Sequence, residues 1–480
     1  MDPSSSFRLP EKFCCQLACA ANPPHSHRLN HSCGLSAVVY AVGLVIFALS
    51  WCPAEVAAEG QHQSDKINPQ ARLLRSVVQK CIKSPETYTA EKARFDEYFQ
   101  TYLFPSMTQT DPKFLGLLGD HRKELLQRYL WASKNPDLQS DLTKMSFDFA
   151  KKVAGNRNYH PAVRLNATLL LGSLDAKYSD KADNPPAPYP AATQTLLKIV
   201  ELAADNHPLV TPPMLAAALI GLERQAQSRD NLPSPVKQEF QQTLLGIVNQ
   251  PELSKSMDPD VQYWLKRVAA SALAELHETG TDNQVVTGLL SLITAPEMPL
   301  DDRCQVAVMV TKIPLEGKQV DTDAIAQGLL LLTQTVANKV AEKAIEFEDM
   351  RIGKGPGRGN LPSRGMGLKK PEFDRRRILS QLKNLDIALS AIKPLTSEKV
   401  QVAVDGVLTA IQPVQEAAQN EEVSDLKFTE HVRQMAADIS LAAAPVLSEE
   451  QDPATHQSQD TKSQDNLDQD DLDLEDESTN

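Results

Sequence analysis

The sequence predicts an all-α fold in which helical hairpins follow one another along the chain. Aromatic residues are only 5% of the 480 residues, and Leu and Ala fill most apolar positions, which favours helices packed on helices. We find no convincing run of alternating strand segments. Nearly every joint between apolar segments carries a proline or an Asp or Asn cap, which is typical of helix starts. The length suits either several ordinary domains or one long array of repeats.

Residues 1–58 are predicted to be a signal peptide or a signal anchor. Gly34 to Trp51 is a run of eighteen residues without a charge, and basic residues precede it. This arrangement predicts that the body is exported and is periplasmic or secreted. Small residues at 56–58 predict cleavage before Glu59. Because eighteen residues is also near the lower limit for a spanning helix, the alternative is an uncleaved anchor at 34–51 in the inner membrane.

Amphipathic segments predict a succession of helices from residue 69 onward, separated by a proline-rich loop at 183–190 that cannot be helical. The predicted helices before residue 352 are Gln70–Lys83, Ala90–Pro105, Pro112–Ser133, Pro136–Gly155, Pro161–Tyr178, Ala191–Ala204, Pro212–Ser228, Pro235–Asn249, Pro259–Thr279, Asn283–Thr294, Leu300–Ile313 and Asp323–Arg351.

Two of these helices carry the same pattern. The segment from Val163 to Leu174 has an ungapped echo 102 positions later, from Leu265 to Leu276, in which Arg164 corresponds to Lys266. The pattern resembles the second helix of a HEAT-type repeat. The resemblance covers roughly residues 160–315 and implies an α-solenoid of HEAT- or armadillo-like hairpins over 69–350, with an extended concave surface and a scaffold role. A non-repetitive helical bundle is the structural alternative.

The apolar stripe of the helix that contains Leu265 to Leu276 also predicts which of its residues face the core. Trp264 and Leu273 lie on this stripe and are predicted to be buried, whereas Glu275 is predicted to lie on the opposite, solvent-facing side of the helix.

Residues 351–371 are predicted to be a basic, glycine-rich flexible loop, because six glycines between 353 and 367 oppose a helix. Between 351 and 377 nine Lys and Arg face two acidic residues. One interpretation is contact with an anionic polymer or membrane surface, and the other is a solvated linker whose charges meet the acidic tail. The residues predicted to contact an anion are Arg351, Lys354, Arg358, Arg364, Lys369, Lys370, Arg375, Arg376 and Arg377.

The C-terminal part is predicted to hold three more helices within residues 372–445, which form either a cap on the array or a small bundle. They are Glu372–Ile392, Ser397–Gln419 and Glu421–Ala444. Residues 446–480 are predicted to be a disordered acidic tail, because twelve acidic residues and one lysine lie between Ser448 and Asn480.

Motifs for catalysis, cofactors or metals are not found in the sequence. No two histidines have zinc-ligand spacing around a glutamate, and no nucleophile elbow, C-x-x-C or dinucleotide turn occurs. After residue 58 only Cys81 and Cys304 remain, and both are interpreted as buried thiols. The sequence therefore favours a non-catalytic exported scaffold that binds an unknown protein partner, without specific nucleic acid. The alternative is a secreted α/α-toroid enzyme that acts on polysaccharide with two carboxylates.

The export prediction can be tested by intact-mass measurement. If the apolar run belongs to a cleaved signal, the mature protein begins near Glu59 and is soluble after lysis of the envelope. A species that retains residues 34–51 and partitions with membranes would instead identify an anchor.

Overall fold

A computed structural model of the chain describes residues 62–179, 185–352 and 374–448. These residues are mostly helical, which confirms the predicted all-α fold. The predicted signal segment at 1–58, nearly all of the basic loop and the acidic tail from 449 onward lie outside the described residues.

The described helices of seven or more residues are labelled here in chain order. They are α1 (Arg75–Lys83), α2 (Pro85–Tyr98), α3 (Leu118–Glu124), α4 (Pro136–Ala154), α5 (Pro161–Leu171), α6 (Pro190–Ala204), α7 (Pro212–Ala226), α8 (Ser234–Asn249), α9 (Pro259–Glu275), α10 (Gln284–Thr294), α11 (Leu300–Met309), α12 (Thr322–Ile352), α13 (Arg375–Ile392), α14 (Glu398–Gln419) and α15 (Asp425–Leu447). Two π-helical turns extend α2 and α3, at Phe99–Leu103 and Leu125–Leu130.

Helix starts follow the local sequence signals closely. A proline lies in the first turn of α5 and α9, where its missing N–H has no helical partner to lose. The preceding residues cap these helices, since the Ala162 N–H donates to Nδ1 of His160 at 3.1 Å and the Asp260 N–H donates to Asp258 at 2.9 Å. Helix α2 begins at Pro85, five residues before its predicted start, because Ser84 caps it.

The predictions for the chain after Leu171 are wrong in two respects. Helix α5 ends at Leu171 and does not continue to Tyr178. A short strand β1 (Asp175–Lys177) follows it and pairs antiparallel with β2 (Ala187–Pro188), although no strand was expected from the sequence. The reason is tertiary, because Arg224 of α7 donates to the carbonyl of Gly172 at 3.2 Å and to the carboxylate of Asp175. These contacts stabilise the chain after α5 in a non-helical conformation.

The middle of the chain packs as two rows of helices. The even row contains α4, α6, α8, α10 and α12, and the odd row contains α5, α7, α9, α11 and α13; within each row, every helix contacts the next member. Most helices that are consecutive in the sequence also contact each other across the rows. Each helical hairpin therefore adds one layer to the stack.

Basic residues near the start of odd-row helices bind backbone carbonyls at the end of the preceding even-row helix or in the turn after it. Arg164 donates to the carbonyl of Ala154, and Arg303 donates to the carbonyl of Ile293, in both cases ten residues back in the chain. Lys266 reaches the carbonyl of Pro251 at 3.3 Å. The last carbonyls of a helix have no helical partner and carry negative partial charge. A buried cation beside them therefore donates the missing hydrogen bonds and is itself stabilised by this charge.

The two ends of the stack are built differently. At the N-terminal end α1, α2 and α3 enclose an aromatic cluster, in which Phe99 and Tyr129 are fully buried with ring centroids 5.2 Å apart. Arg122 of α3 is buried and donates to Asn166 of α5, which joins this part to the stack. At the C-terminal end the long helix α12 contacts α13, α14 and α15, and α15 packs on both α12 and α14.

Helices α5 and α7 approach each other very closely at Gly172 and Gly221. A Cβ atom placed on Gly172 would lie 2.6 Å from the Cα atom of Gly221, and one placed on Gly221 would lie 2.7 Å from the Cα of Gly172. Because the clashing atoms belong to the backbone, rotation of a side chain cannot relieve the contact. The residue at the end of α5 and the facing residue of α7 must both be glycine for the rows to pack this closely.

We expect Gly172→Ala to lower the free energy of unfolding by about 1–3 kcal/mol, because the added methyl group forces the α5 and α7 backbones apart. Gly246 in α8 is the matched control, since a Cβ there meets no atom within 4 Å. Gly246→Ala should raise the free energy of unfolding by about 0.4–1 kcal/mol, because alanine reduces the conformational entropy of the unfolded chain. Urea denaturation followed by circular dichroism measures both, and equal effects would contradict the close approach.

Candidate interaction surfaces

The predicted anion-contact residues are divided by the structure. Arg375 pairs with Asp425 of α15, donates to the carbonyl of Val423 at 2.8 Å and lies 4.8 Å from the Phe428 ring centroid. Arg377 pairs with Asp301 of α11 at 2.9 Å. Two of the three arginines at the start of α13 therefore bind the protein's own helices, and Arg376 between them is exposed.

The other six predicted anion-contact residues have no described side chain. The backbone of Arg351 belongs to the last turn of α12, and the rest lie outside the described residues: Lys354, Arg358, Arg364, Lys369 and Lys370.

Two helices of the odd row are buried along almost their whole length. Every residue of α9 from Trp264 to Ala274 is buried, including Lys266 and Arg267, and α5 is buried almost as completely. The predicted core position of Trp264 is confirmed. Even-row helices such as α6 instead expose one polar side. A partner protein would therefore have little access to the odd row.

Polar contacts connect each odd-row helix to the next one. Asp175, which follows α5, pairs with Arg224 of α7, and the hydroxyl of Ser271 in α9 donates to Glu223 of α7 at 2.5 Å. Farther along the row, Arg267 of α9 pairs with Asp302 of α11 at 2.8 Å. The contact between Asp301 and Arg377 then joins α11 to α13.

Burial shifts the pKa values of the carboxyl groups in this series. Burial raises the pKa of Glu223 above its usual range, although the hydrogen bond from Ser271 and the charge of Arg267 oppose the shift. Burial likewise raises the pKa of Asp302 and of Asp175, against the effects of Arg267 and Arg224 respectively. Paired carboxylates could serve as acid and base in glycoside hydrolysis, but Glu223 and Asp302 each bind a side chain of α9 here.

Glu275 does not occupy the solvent-facing position that the helix pattern predicts. Its side chain is only 16% exposed and pairs with Lys312, which follows α11. The prediction is wrong because α11 covers this side of α9, and a helical pattern within one segment does not show which neighbour will cover its polar side.

Other kinds of site receive little support from the described residues. A depression of about 400 Å³ lies between the α6–α7 turn and the α8–α9 loop, lined by Asn206, Glu252, Ser254, Lys255 and Ser256. No group of three potential metal ligands occurs among the described residues. None of the helices in the described ranges is long and apolar enough to cross a membrane.

Exposed large apolar side chains occur at the two ends of the stack. The described residues between Trp131 and Leu331 contribute none of them. Those at the N-terminal end are Leu73, Leu117 and Trp131, and those at the C-terminal end are Leu331, Ile345, Ile387, Val402, Leu426 and Leu441.

The N-terminal surface is defined by Leu73, Leu117 and Trp131. Exposed residues at 117, 120, 123, 127 and 131 form one stripe along α3 and its π-helical extension. The stripe begins with Leu117 and ends with Trp131, which is 49% exposed. The ion pair between Arg75 and Glu124 holds the start of α1, and with it Leu73, beside this helix.

The C-terminal surface is defined by Leu331 and Ile345 of α12 and by Leu426 and Leu441 of α15. The amide of Gln334 donates to the Ser440 hydroxyl at 3.3 Å, and Glu348 binds Thr429 and Arg433. These contacts pair early residues of α12 with late residues of α15, so the two helices are antiparallel.

No family model matches the sequence, and neither a curated protein nor a solved structure is significantly similar to it.

Neither surface is predicted by the sequence. Trp131 lies near the end of the predicted helix Pro112–Ser133, but this segment is broken by a turn at 116–117 and by the π-helical turn, so one regular helical period does not reveal the exposed stripe. Leu426 and Leu441 follow a spacing that also suits a packed core, since exposed and buried stripes of α15 alternate at the same helical period. An exposed leucine can be recognised only once the neighbouring helices are placed.

The raised pKa of Glu223 predicts how stability varies with pH. The folded protein binds this proton more tightly than the unfolded chain, so above about pH 4.3 the contribution of Glu223 to stability falls as pH rises. The loss is about 1.4 kcal/mol for each unit by which the pKa is raised. We expect Glu223→Gln to lose less stability than the wild type as the pH is raised above about 4.3 in urea titrations.

The control for this experiment is Glu316→Gln, because Glu316 is exposed in the loop before α12. Its pH dependence should match that of the wild type. A Glu223→Gln variant with the wild-type slope would show that the carboxyl is not held in a destabilising environment.

Proposed function

We propose that the chain is a non-catalytic, exported α-solenoid of HEAT-like hairpins that acts as a scaffold for a protein partner in the cell envelope. The two-row packing supports the solenoid, because each helix contacts the next member of its row and, for most pairs, its neighbour in sequence. The recurrence of one buried contact in two hairpins, by Arg164 and Arg303, supports a repeat origin for them.

The observation that carries the binding function is the position of the exposed apolar residues. A solenoid needs a polar outer face on its terminal units, because nothing in the chain stacks on them. Here the terminal parts carry the exposed large apolar side chains of the described chain, while the middle of the stack carries none. Exposed apolar patches on an otherwise soluble fold mark interaction sites.

The binding surface proposed here differs from the concave groove that the HEAT resemblance implies. Since α5 and α9 are almost completely buried and several charged groups of the odd row are paired with one another, we place the partner on the N-terminal surface. Trp131 is the expected anchor, because tryptophan is enriched among the residues that dominate binding energy at interfaces. The neighbouring Lys123 and Asp120 would form the polar rim of the site.

Removing the anchor tests this proposal. The purified wild-type chain and a Trp131→Ala variant are cross-linked to proteins of the native envelope fraction and quantified by mass spectrometry. Truncation of an anchor costs about 2 kcal/mol or more, so recovery of the specific partner should fall at least about tenfold. Ile387→Ala is the matched control, because Ile387 is 51% exposed at the other end of the stack.

Two results would contradict the proposed function. Equal recovery of every cross-linked protein by wild type and Trp131→Ala would remove the N-terminal surface as the binding site. Release of reducing ends from acidic polysaccharides by the purified chain would show that the protein is an enzyme of the alternative, carbohydrate-active class.

A further inference from the structure

The outer side of α15 carries a regular stripe of exposed residues. Leu426, Glu430, Arg433, Ala437 and Leu441 are all exposed and recur at spacings of three and four residues. This spacing places them along one side of the helix. The opposite side of α15, with Phe428, Val432 and Ile439, is buried against α12 and α14.

The order of residues in this stripe is self-complementary. When two such helices lie antiparallel about a two-fold axis between Arg433 and Gln434, Leu426 of each copy lies opposite Leu441 of the other. Arg433 of the two copies then lies on either side of the axis, and Glu430 of each copy lies about one helical turn from Arg433 of the other, so that two pairs of opposite charges flank the two arginines. The small side chain of Ala437 lies opposite Glu430 and leaves room for close approach. A two-fold interface requires this kind of self-complementary surface.

The area available is sufficient for a specific dimer. Leu331 to Asp349 of α12 spans about 27 Å at 1.5 Å per residue, and two adjacent helices are about 20 Å wide. The antiparallel pair of α12 and α15 therefore offers about 540 Å² per copy, or about 1,100 Å² in total, against the roughly 1,000 Å² expected of a specific interface. Leu331 and Ile345 lie on the exposed part of α12 and extend the apolar area.

We propose that this C-terminal surface binds a second copy of the same chain and forms a two-fold symmetric dimer. Leu441, which is 79% exposed in the single chain, is the main apolar contact. Arg433 already pairs with Glu348 of its own α12 at 3.2 Å, so its side chain is held in position before it meets Glu430 of the second copy. The proposal is independent of the partner on the N-terminal surface.

Sedimentation velocity on the purified full chain tests the proposal, in detergent if the N-terminal segment is retained. The chain mass is 52.8 kDa, and the wild type should sediment at twice this mass at micromolar concentration. Leu441→Asp should raise the dimer dissociation constant at least about tenfold, because it buries two unpaired carboxylates. Ile387→Asp, which places a carboxylate on α13, should remain dimeric.

A charge reversal supplies a second, more specific readout. Glu430→Arg alone places like charges across the axis and should weaken the dimer, whereas Glu430→Arg combined with Arg433→Glu restores opposite charges across the axis and should recover part of the lost affinity, because Arg433→Glu also removes the pair with Glu348. A monomeric wild type would overturn the proposal, as would a Leu441→Asp variant that stays dimeric or an Ile387→Asp variant that is equally monomeric. Thermal unfolding of each variant confirms that it is folded before its mass is compared.

Discussion

Burial of the odd row is the constraint on which the rest of the structure depends. A charged group in the buried part of this row, such as Arg267, cannot reach water, so it must be paired within the protein or shift its pKa. Arg267 and Asp302 are paired, and Glu223 has a raised pKa despite its hydrogen bond to Ser271. Close packing in this row also limits the size of its side chains, since the approach of α5 to α7 leaves no room for a Cβ atom at Gly172. Each polar contact is therefore also a contact between successive layers of the stack.

This internal pairing explains why the middle of the stack offers so little to a partner. The buried charged groups of its odd row are used between helices, its even row exposes mainly polar side chains, and its large apolar groups lie in the core. The ends have no further layer to cover them. At the N-terminal end the segment before the first helix is held by a hydrogen bond from the Tyr159 hydroxyl to Asp65, yet Trp131 stays exposed. At the C-terminal end α15 packs against α12 in place of a further layer and leaves Leu441 in solvent.

Most helices could be predicted from the sequence because prolines and caps are local signals. The start of α9 at Pro259 and the burial of Trp264 are examples. The contacts that hold the layers together could not be predicted in the same way. Arg303 repeats the role of Arg164 at the same position of its helix, but the carbonyl that each arginine binds is not revealed by the pattern of the helix. Glu275 and Arg377 depend on partners 37 and 76 residues away, so their surroundings are decided by tertiary packing. The start of α13 therefore looked like an anion site when taken alone.

The two proposed surfaces together determine what kind of scaffold the protein would be. Helices in a stack are about 8–10 Å apart, so the five helices of the odd row separate the N-terminal surface from the C-terminal surface by about 40 Å. A two-fold axis at α15 would then place the two copies of Trp131 on the order of 100 Å apart. At that distance one partner of ordinary domain size, with a radius of gyration of about 13 Å for 100 residues, could not contact both copies. The dimer would therefore hold two separate partners, or two sites of an extended one, and in the second case binding at one end would raise the effective concentration at the other.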